Sequence, residues 1–315
     1  MKRGPSNGPS MLIGVDKPVG PTSHDVVARL RRALGERRIG HSGTLDPLAS
    51  GVMVVGVGQA TRLLALATAD EKRYTARFVF GRETVTDDSE GETRREAPAP
   101  AEVLDPEWAR VQMGILLAMT EQVPPAYSAI QVDGVRSYKA ARDGAELELA
   151  TRPVCVREAS LVATGSDEAT GEPWWDVDVL VSKGTYVRAL CRDLGRALGS
   201  ACHVGALRRT ASGSVGVAEC RPLADVVADG QAFPLDPVRV IGCARVALGE
   251  KDLEDVRCGR RLSVARTDGG AASGLPEGAT VALVREGRLY ATAARCGGAL
   301  APHVVLPDGV VGVAQ

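Results

Sequence analysis

The feature that most constrains the fold is an almost unbroken apolar run from Val52 to Val57, which follows a loop rich in turn-forming residues. Gly40 and Gly43 favour a turn, because glycine reaches positive φ at little cost. Asp46 precedes Pro47, and a following proline favours an extended conformation over the α region. An apolar run of this length is typical of a strand that is buried on both faces. We therefore expect Asp46 on a stiff loop anchored to the core immediately downstream.

The whole string GHSGTLDPLASGVMVVGVGQATRLL closely resembles the signature loop of the TruB family of tRNA pseudouridine synthases. In that family the aspartate of the H-x-G-x-L-D-P-L-A-x-G pattern is catalytic, so the resemblance implies that Asp46 is the nucleophile. Ser42 stands where threonine is more usual, which leaves the aspartate unaffected. His41 is then a candidate for stacking in the RNA loop that the flipped uridine vacates. Apart from the string, Asp46 could be an ordinary turn aspartate and His41 a hydrogen-bonded turn histidine.

Two further strings resemble motifs of the same family. DKPVGPTSHDVV resembles its opening motif and makes Lys17 a candidate phosphate contact, the alternative being a surface loop lysine. KGTYVR resembles the K-G-T-Y-x-R motif, whose arginine pairs with the catalytic aspartate, so the resemblance assigns that role to Arg188. Lys183 and Tyr186 of the same motif are substrate-binding candidates. A solvent-exposed arginine is the alternative for Arg188, but a helix start is unfavourable for a cation, and this mismatch points to a nearby carboxylate.

Residues 72–81, KRYTARFVFG, alternate in polarity and predict a strand that places Tyr74 on the same face as the apolar residues after it. Periodicity makes Tyr74 a core aromatic, whereas the resemblance makes it an active-site residue. Both hold if the ring packs in the core while its hydroxyl faces the cleft. Leu207, in HVGALRRTASGSV, matches a family residue that lines the uridine pocket.

Several other patterns predict local structure. Thr22 and Asp25 have capping-box spacing and predict a helix start, with Gly35 as its stop. Thr61 to Ala69 predicts a second helix, and the Glu-, Thr- and Pro-rich stretch 82–106 predicts a mobile loop.

The stretch 123–152 resembles the family insertion that clamps the RNA hairpin. Asp133 and Gly134 predict a hairpin turn within it. Its basic and aromatic face would comprise Arg136, Tyr138, Lys139 and Arg142.

The formal net charge of −1 is not the strongly basic balance of many nucleic-acid binders. The charge is nevertheless uneven, because arginine and lysine collect at 29–38 and 183–213 while acidic residues collect at 83–107. A basic face can bind RNA although the whole molecule is neutral. The alternative is that these runs are solvated helix faces.

The 315 residues have room for one large domain and one small one. We expect a disordered tail at 1–10, a catalytic domain at 11–236 and a small β-barrel at 237–315, where short strands and glycine turns replace helices. The resemblance covers about residues 11–235 and implies an α+β fold, a mixed twisted β-sheet pseudouridine synthase core flanked by helices. By position, the barrel resembles the PUA-type RNA-binding domain, and a plain stabilising domain is the alternative.

The resemblance implies an isomerase that converts uridine 55 in the T-loop of tRNA to pseudouridine. Bond breaking and rejoining within one nucleotide needs no cofactor, and the sequence has no nucleotide fingerprint. We expect no metal, since the sequence has no cluster of metal ligands, and no membrane partner, since a run of roughly eighteen apolar residues is absent. The seven cysteines form no C-x-x-C pair, which fits a reducing cytoplasm. We further expect a monomer whose partner is the T-arm stem-loop of tRNA.

Two other function classes remain open. One is a non-catalytic RNA-binding protein or RNA chaperone on the same fold, which the joint presence of Asp46, Tyr74 and Arg188 disfavours. The other is a metal-dependent hydrolase that uses His41 and Asp46, although the remaining histidines are dispersed along the chain.

Overall fold

The structure is a computed structural model that describes residues 8–68, 70–128, 130–132, 135–137, 149–266 and 272–314. Within these ranges the chain forms two compact units. The described residues of unit 1 fall within 1–47, 51–69 and 211–315, and those of unit 2 fall within 48–50 and 70–210. No helix in the described ranges is long and apolar enough to cross a membrane.

Six α-helices lie in the described ranges: α1 Ser23–Ala33, α2 Pro106–Leu117, α3 Val187–Ala197, α4 Leu223–Asp229, α5 Pro237–Ile241 and α6 Glu250–Arg257. Three short 3-10 helices lie at Gly58–Leu63, Val217–Glu219 and Val264–Arg266.

The strands of the described ranges are β1 Ser10–Lys17, β2 Ile39–His41, β3 Ala49–Val57, β4 Glu71–Phe80, β5 Arg82–Thr84, β6 Thr93–Glu96, β7 Glu121–Gln122, β8 Gln131–Val132, β9 Val135–Arg136, β10 Arg152–Pro153, β11 Val156–Ser166, β12 Pro173–Ser182, β13 Cys202–Ser212, β14 Val215–Gly216, β15 Arg221–Pro222, β16 Pro234–Leu235, β17 Ala244–Ala247, β18 Leu262–Ser263, β19 Thr280–Arg285, β20 Arg288–Cys296 and β21 Ala299–Val311.

Unit 1 is built on the antiparallel pair of β1 and β3, in register from Met11 opposite Val57 to Lys17 opposite Gly51. Helices α1 and α4 cover one face of this pair, where Met53 and Val55 are buried. Val52 and Val54 enter a second core on the other face. The prediction of a strand buried on both faces is therefore confirmed. The capping box at Thr22 is also present, and α1 ends just before Gly35.

The C-terminal strands of unit 1 form a sheet in the order β21-β20-β19-β17, and β21 also runs parallel to β1 with Ser10 opposite Val310. Leu306 and Val310 share a core with Leu12 and Val54. The unit therefore extends across the expected boundary at 236/237, because apolar side chains from both sides of it fill one core. Whether 237–315 is an independent PUA-like domain stays a prediction.

Unit 2 is built on strands in the order β11-β12-β4-β13, in which β12 pairs antiparallel with both β11 and β4. Its core includes Trp175, which is 0% exposed and packs edge-on against Phe80 and Trp108. The indole N–H of Trp175 donates to the Val103 carbonyl at 2.7 Å. On β4, Tyr74 and the apolar residues that alternate with it are buried, as the sequence predicts.

Three sequence predictions of local structure need correction. Residues 61–69 were expected to be helical, but the chain forms a 3-10 helix at Gly58–Leu63 and then turns, with residue 69 outside the description. The stretch 82–106 was expected to be a mobile loop, but it contains the β5–β6 hairpin, and it places Asp87 and Asp88 in buried positions. Strand β1 starts at Ser10, inside the expected tail.

The predicted clamp is described only in part. Strands β8 and β9 pair as a hairpin, with Val132 opposite Val135, and its turn at 133–134 lies outside the described residues. Residues 138–148 also lie outside them, and these include Tyr138, Lys139 and Arg142. The proposed basic face of this segment therefore stays a prediction.

Candidate active site

Asp46 lies in unit 1 on a loop that is fixed on both sides of it. On one side, the Leu45 N–H donates to Ser23 Oγ, and this hydroxyl donates to the Leu45 carbonyl, both at 2.9 Å. On the other side, the Pro47 carbonyl accepts from the Gly20 N–H at 2.8 Å. Asp46 itself is half-buried. A carboxylate on a loop fixed in this way keeps one position, which is what a catalytic group requires.

Lys17 also holds the Asp46 loop in place through hydrogen bonds to its backbone. Its ammonium donates to the carbonyls of Pro18, at 2.9 Å, and Pro47, at 3.3 Å, and its side chain is 0% exposed. A phosphate cannot reach a fully covered ammonium, so the expected phosphate contact does not agree with this structure. The physical reason is that strand β1 directs Lys17 inward, where it satisfies two loop carbonyls.

His41 ends β2, opposite Val55 of β3, and is half-buried. Its ring lies 6.2 Å from the His24 ring in an edge-to-face arrangement. The structure thus brings His41 and Asp46 into the same glycine-containing loop of unit 1. A role of His41 in RNA stacking stays a prediction.

Unit 2 contains the other predicted site residues. Tyr74 on β4 and Leu207 on β13 are 7% and 8% exposed, and these two strands are neighbours in the sheet. Tyr186 precedes α3, and Gln122 fixes its backbone by accepting from the Tyr186 N–H at 2.7 Å. The guanidinium of Arg152 lies 5.8 Å from the centre of the Tyr186 ring.

Lys183 is exposed and donates to the Asp70 carboxylate at 2.6 Å. This charge-assisted hydrogen bond is the largest cause that holds the pKa of Asp70 below its usual value. Lys183 is accessible to a ligand, and its role in substrate binding stays a prediction.

Arg188 lies in the first turn of α3 and is 3% exposed, so it is not the solvated arginine of the alternative interpretation. It donates to the carbonyl oxygens of Thr86, at 2.6 Å, and Tyr127, at 3.0 Å. The carboxylate of Asp88 lies 3.5 Å from it and is itself buried. The expectation of a carboxylate near this helix start is thus met within unit 2 by Asp88. The pairing of Arg188 with Asp46 stays a prediction.

The arginines one and two turns later on α3 also bind acids of unit 2. Arg192 donates to Asp87 at 2.8 Å, and Arg196 binds Glu83 through two nitrogens, at 3.0 and 2.7 Å. Burial raises the pKa of Asp87, and the opposing attraction of Arg192 only partly offsets this effect. Arg188 and Arg192 are buried among these acids and are therefore not available to an RNA-binding face, whereas a basic face formed by the other residues of 183–213 stays a prediction.

Sequence reasoning missed the acids that position these arginines. The segment 83–88 looked like a solvated loop because its composition is acidic and polar. A signal was present, since Arg188, Arg192 and Arg196 recur every four residues on one face of an otherwise buried helix. The first two of these arginines are buried, and buried cations require matching carboxylates.

Among the described residues, no three His, Cys, Asp or Glu side chains cluster closely enough to hold a metal ion. All seven cysteines are free thiols. The hydrolase alternative therefore has no observation in its favour within the described ranges.

Two sequence models of known protein families match this chain. Residues 31–187 match the sequence model of the TruB family pseudouridylate synthase N-terminal domain, and residues 188–233 match the tRNA pseudouridylate synthase B C-terminal domain. The chain belongs to the TruB family of pseudouridylate synthases. A relative from Mycobacterium sp. (strain KMS), named tRNA pseudouridine synthase B, is 42% identical over 280 residues, which cover 88% of this chain and 92% of the relative. One of the same name from Arthrobacter sp. (strain FB24) is 39% identical over 301 residues, 94% of this chain and 96% of the relative.

Solved structures agree on the fold of this TruB-family chain. A Cbf5-Nop10-Gar1 complex contains a chain that matches with a TM-score of 0.66 at 25% identity, over 95% of this chain and 85% of that one. An H/ACA RNP bound to a substrate RNA containing 2'-deoxyuridine matches with a TM-score of 0.65 at 23% identity, over 95% and 86% of the two chains. The expected α+β pseudouridine synthase fold, with a mixed sheet and flanking helices, is confirmed.

Proposed function

We propose that this TruB-family enzyme isomerises uridine 55 in the T-loop of tRNA to pseudouridine, with Asp46 as the nucleophile. The observation that carries the proposal is the fixation of the Asp46 loop by Ser23, Gly20 and Lys17, in a chain whose full-length relatives are named tRNA pseudouridine synthase B. A half-buried carboxylate on a fixed loop is what a nucleophile requires, and this favours catalysis over RNA binding alone.

The chemistry is an internal rearrangement of one nucleotide. The N1–C1′ bond breaks, the base turns, a C5–C1′ bond forms, and the proton lost from C5 is balanced by one gained at N1. An ionised Asp46 could attack either C1′ of the ribose or C6 of the base, and either adduct is released when the new bond has formed. Oxidation state does not change, so the chain's own residues suffice.

The remaining residues have roles in this proposal that follow from the family. Tyr74 stacks on the target nucleotide and is a candidate base at C2′, while Leu207 and Tyr186 line the uridine pocket. Arg188 would hold Asp46 in its ionised form, because a guanidinium favours a carboxylate by charge and by bidentate bonding. The contacts of Arg188 with Asp88, Thr86 and Tyr127 support this role, since they fix the orientation of the guanidinium.

Flipping a uridine out of a folded loop costs a few kcal/mol. Stacking on an aromatic or imidazole face offsets this by roughly 1–3 kcal/mol per base. His41 and Tyr74 would supply the two surfaces, one for the vacated loop and one for the flipped base. In this proposal the enzyme is a cytoplasmic monomer, and residues 237–315 bind RNA in the manner of a PUA domain.

The deciding experiment maps pseudouridine in a T-arm hairpin incubated with purified protein. Asp46→Asn should abolish product while retaining RNA binding, because asparagine has the shape of aspartate without its nucleophilic oxygen. Arg188→Lys should lose most of the single-turnover rate, because lysine keeps the charge but not the planar fork. Product at more than trace level from Asp46→Asn would refute the assignment of the nucleophile. RNA binding without product in the unmutated protein would favour the chaperone alternative.

A further inference from the structure

Gln122 ends β7, immediately before the predicted clamp at 123–152, and is 2% exposed. Its side-chain amide binds the backbone of Tyr186 twice: the Tyr186 N–H donates to Oε1 at 2.7 Å, and Nε2 donates to the Tyr186 carbonyl at 3.4 Å. An amide side chain carries both a donor and an acceptor, so it can satisfy both backbone groups of one residue. Gln122 therefore fixes the backbone of Tyr186 on both sides of its Cα atom.

The ring of Tyr186 is contacted from the same pair of strands. Strands β7 and β10 pair antiparallel with Gln122 opposite Arg152, so these two side chains project from the same face. The guanidinium of Arg152 lies 5.8 Å from the centre of the Tyr186 ring, which is within the range of a cation–π contact. Two residues that face each other at the base of the clamp thus hold the backbone and the ring of one tyrosine.

The first residues of the clamp are also bound along α3. The Val123 carbonyl accepts from Arg192 at 2.8 Å, and the Tyr127 carbonyl accepts from Arg188 at 3.0 Å. Tyr186 is the N-cap residue of α3, but its own side chain makes no capping hydrogen bond. Gln122 therefore supplies backbone hydrogen bonds at a helix start that lacks a side-chain cap of its own.

We propose that Gln122 is a positioning residue for the reaction, which fixes the direction in which the Tyr186 ring meets the flipped uridine. The proposal rests on the proposed function, in which Tyr186 lines the uridine pocket. A side chain leaves its Cα atom in a direction determined by the backbone, so two hydrogen bonds that flank this atom limit where the ring can lie. A displacement of about 1 Å in an active site can cost on the order of a hundredfold in rate.

The first measurement is the single-turnover rate of pseudouridine formation in a T-arm hairpin. Gln122→Met has nearly the same volume as the native side chain but makes neither hydrogen bond, so the rate at saturating RNA should fall by about tenfold to a hundredfold. The Kd of the RNA should change by less than about twofold, because affinity depends largely on phosphate contacts elsewhere. An unchanged rate, or a loss confined to RNA affinity, would overturn the proposal.

A second variant tests the hydrogen bond itself. Gln122→Glu should retain most of the rate, because a carboxylate oxygen still accepts from the Tyr186 N–H and its charge lies opposite Arg152. A loss equal to that of Gln122→Met would refute the positioning role. Circular dichroism checks the folding of each variant, and if Gln122→Met does not fold, Gln122→Asn replaces it, since its shorter amide should lose the rate in the same way.

Gln112→Met is the matched control. Gln112 is half-buried on α2 of the same unit and donates to the Trp108 carbonyl of its own helix at 3.4 Å. The same substitution there should leave the single-turnover rate unchanged. A comparable loss of rate in Gln112→Met would mean that losing any half-buried glutamine slows the enzyme, and the assignment to Gln122 would fall.

A double-mutant cycle separates positioning from a general contribution to stability. Tyr186→Ala removes the ring, so adding Gln122→Met to it should slow the reaction by less than about twofold further, because the two residues act as one unit. Independent, multiplying losses would show that Gln122 does not act through Tyr186. No pseudouridine from the unmutated protein would refute the proposed function and this role together. Product at equal rates from the unmutated protein and Gln122→Met would refute the role of Gln122 alone.

Discussion

Glu83 offers a test of the internal ion pairs of unit 2. Its side chain is 1% exposed, and it accepts three charge-assisted hydrogen bonds, two from Arg196 and one from Arg95 at 2.6 Å. Burial by itself would raise the pKa of Glu83, but the hydrogen bonds and charges of Arg196 and Arg95 outweigh it, so the pKa lies below its usual value. Glu83→Gln removes the charge and keeps the shape.

The expected cost is about 2–3 kcal/mol in the free energy of unfolding at pH 7. Removing one partner of a fully buried ion pair costs about 3–5 kcal/mol. The cost here is smaller because the side chains of Arg95 and Arg196 are 42% and 47% exposed, so their charges can regain water. At roughly 2–4 °C per kcal/mol for a domain of this size, Tm should fall by about 4–12 °C.

The pH dependence has a definite sign. A carboxyl whose pKa is depressed by folding stabilises the protein above its unfolded pKa, near 4.3, and this contribution is lost as pH falls through the folded pKa. The stability difference between Glu83→Gln and the unmutated protein should therefore be constant from pH 7 to about pH 5 and shrink below pH 4. Urea unfolding followed by circular dichroism measures both quantities.

Glu96→Gln is the matched control, because Glu96 lies on β6 of the same hairpin, is exposed, and should change stability by no more than about 0.5 kcal/mol. If Glu83→Gln and Glu96→Gln unfold at the same urea concentration, the reasoning about buried carboxylates in this unit is wrong. A deficit that grows on acidification would contradict the sign of the pKa shift.

Two further predictions follow from unit 1. Lys17→Met should lower kcat by roughly tenfold, because it removes hydrogen bonds that contribute about 1–1.5 kcal/mol to holding the Asp46 loop. It should leave the slope of log RNA affinity against log salt unchanged, because Lys17 is fully covered. A slope reduced by the value for one phosphate would instead support the original interpretation of Lys17 as a phosphate contact. A 1–236 fragment should unfold at a lower temperature than the full chain and aggregate, because it loses the pairing of β21 with β1 and exposes Leu12 and Val54. A cooperative thermal unfolding transition close to that of the full chain would instead establish that 237–315 is an independent domain.

The sequence by itself determined the elements whose signals are local. The buried strand at 52–57, the cap of α1 at Thr22 and the buried face of Tyr74 all followed from periodicity or turn chemistry. The family strings likewise placed Asp46 on a loop before the buried strand and Arg188 in the first turn of α3. These features depend on residues within one turn or one strand of each other, so their physical causes are visible in a short stretch of chain.

Tertiary structure alone decided the roles of the charged residues. Glu83 and Arg196 are more than a hundred positions apart, and only folding brings the acidic segment and the arginine row together as ion pairs. The same holds for Lys17, whose ammonium donates to the carbonyl of Pro47, thirty positions later in the sequence. A charged side chain looks the same in sequence whether it faces solvent, a carboxylate or a ligand. The difference lies in desolvation and in long-range neighbours, and both exist only once the chain has folded.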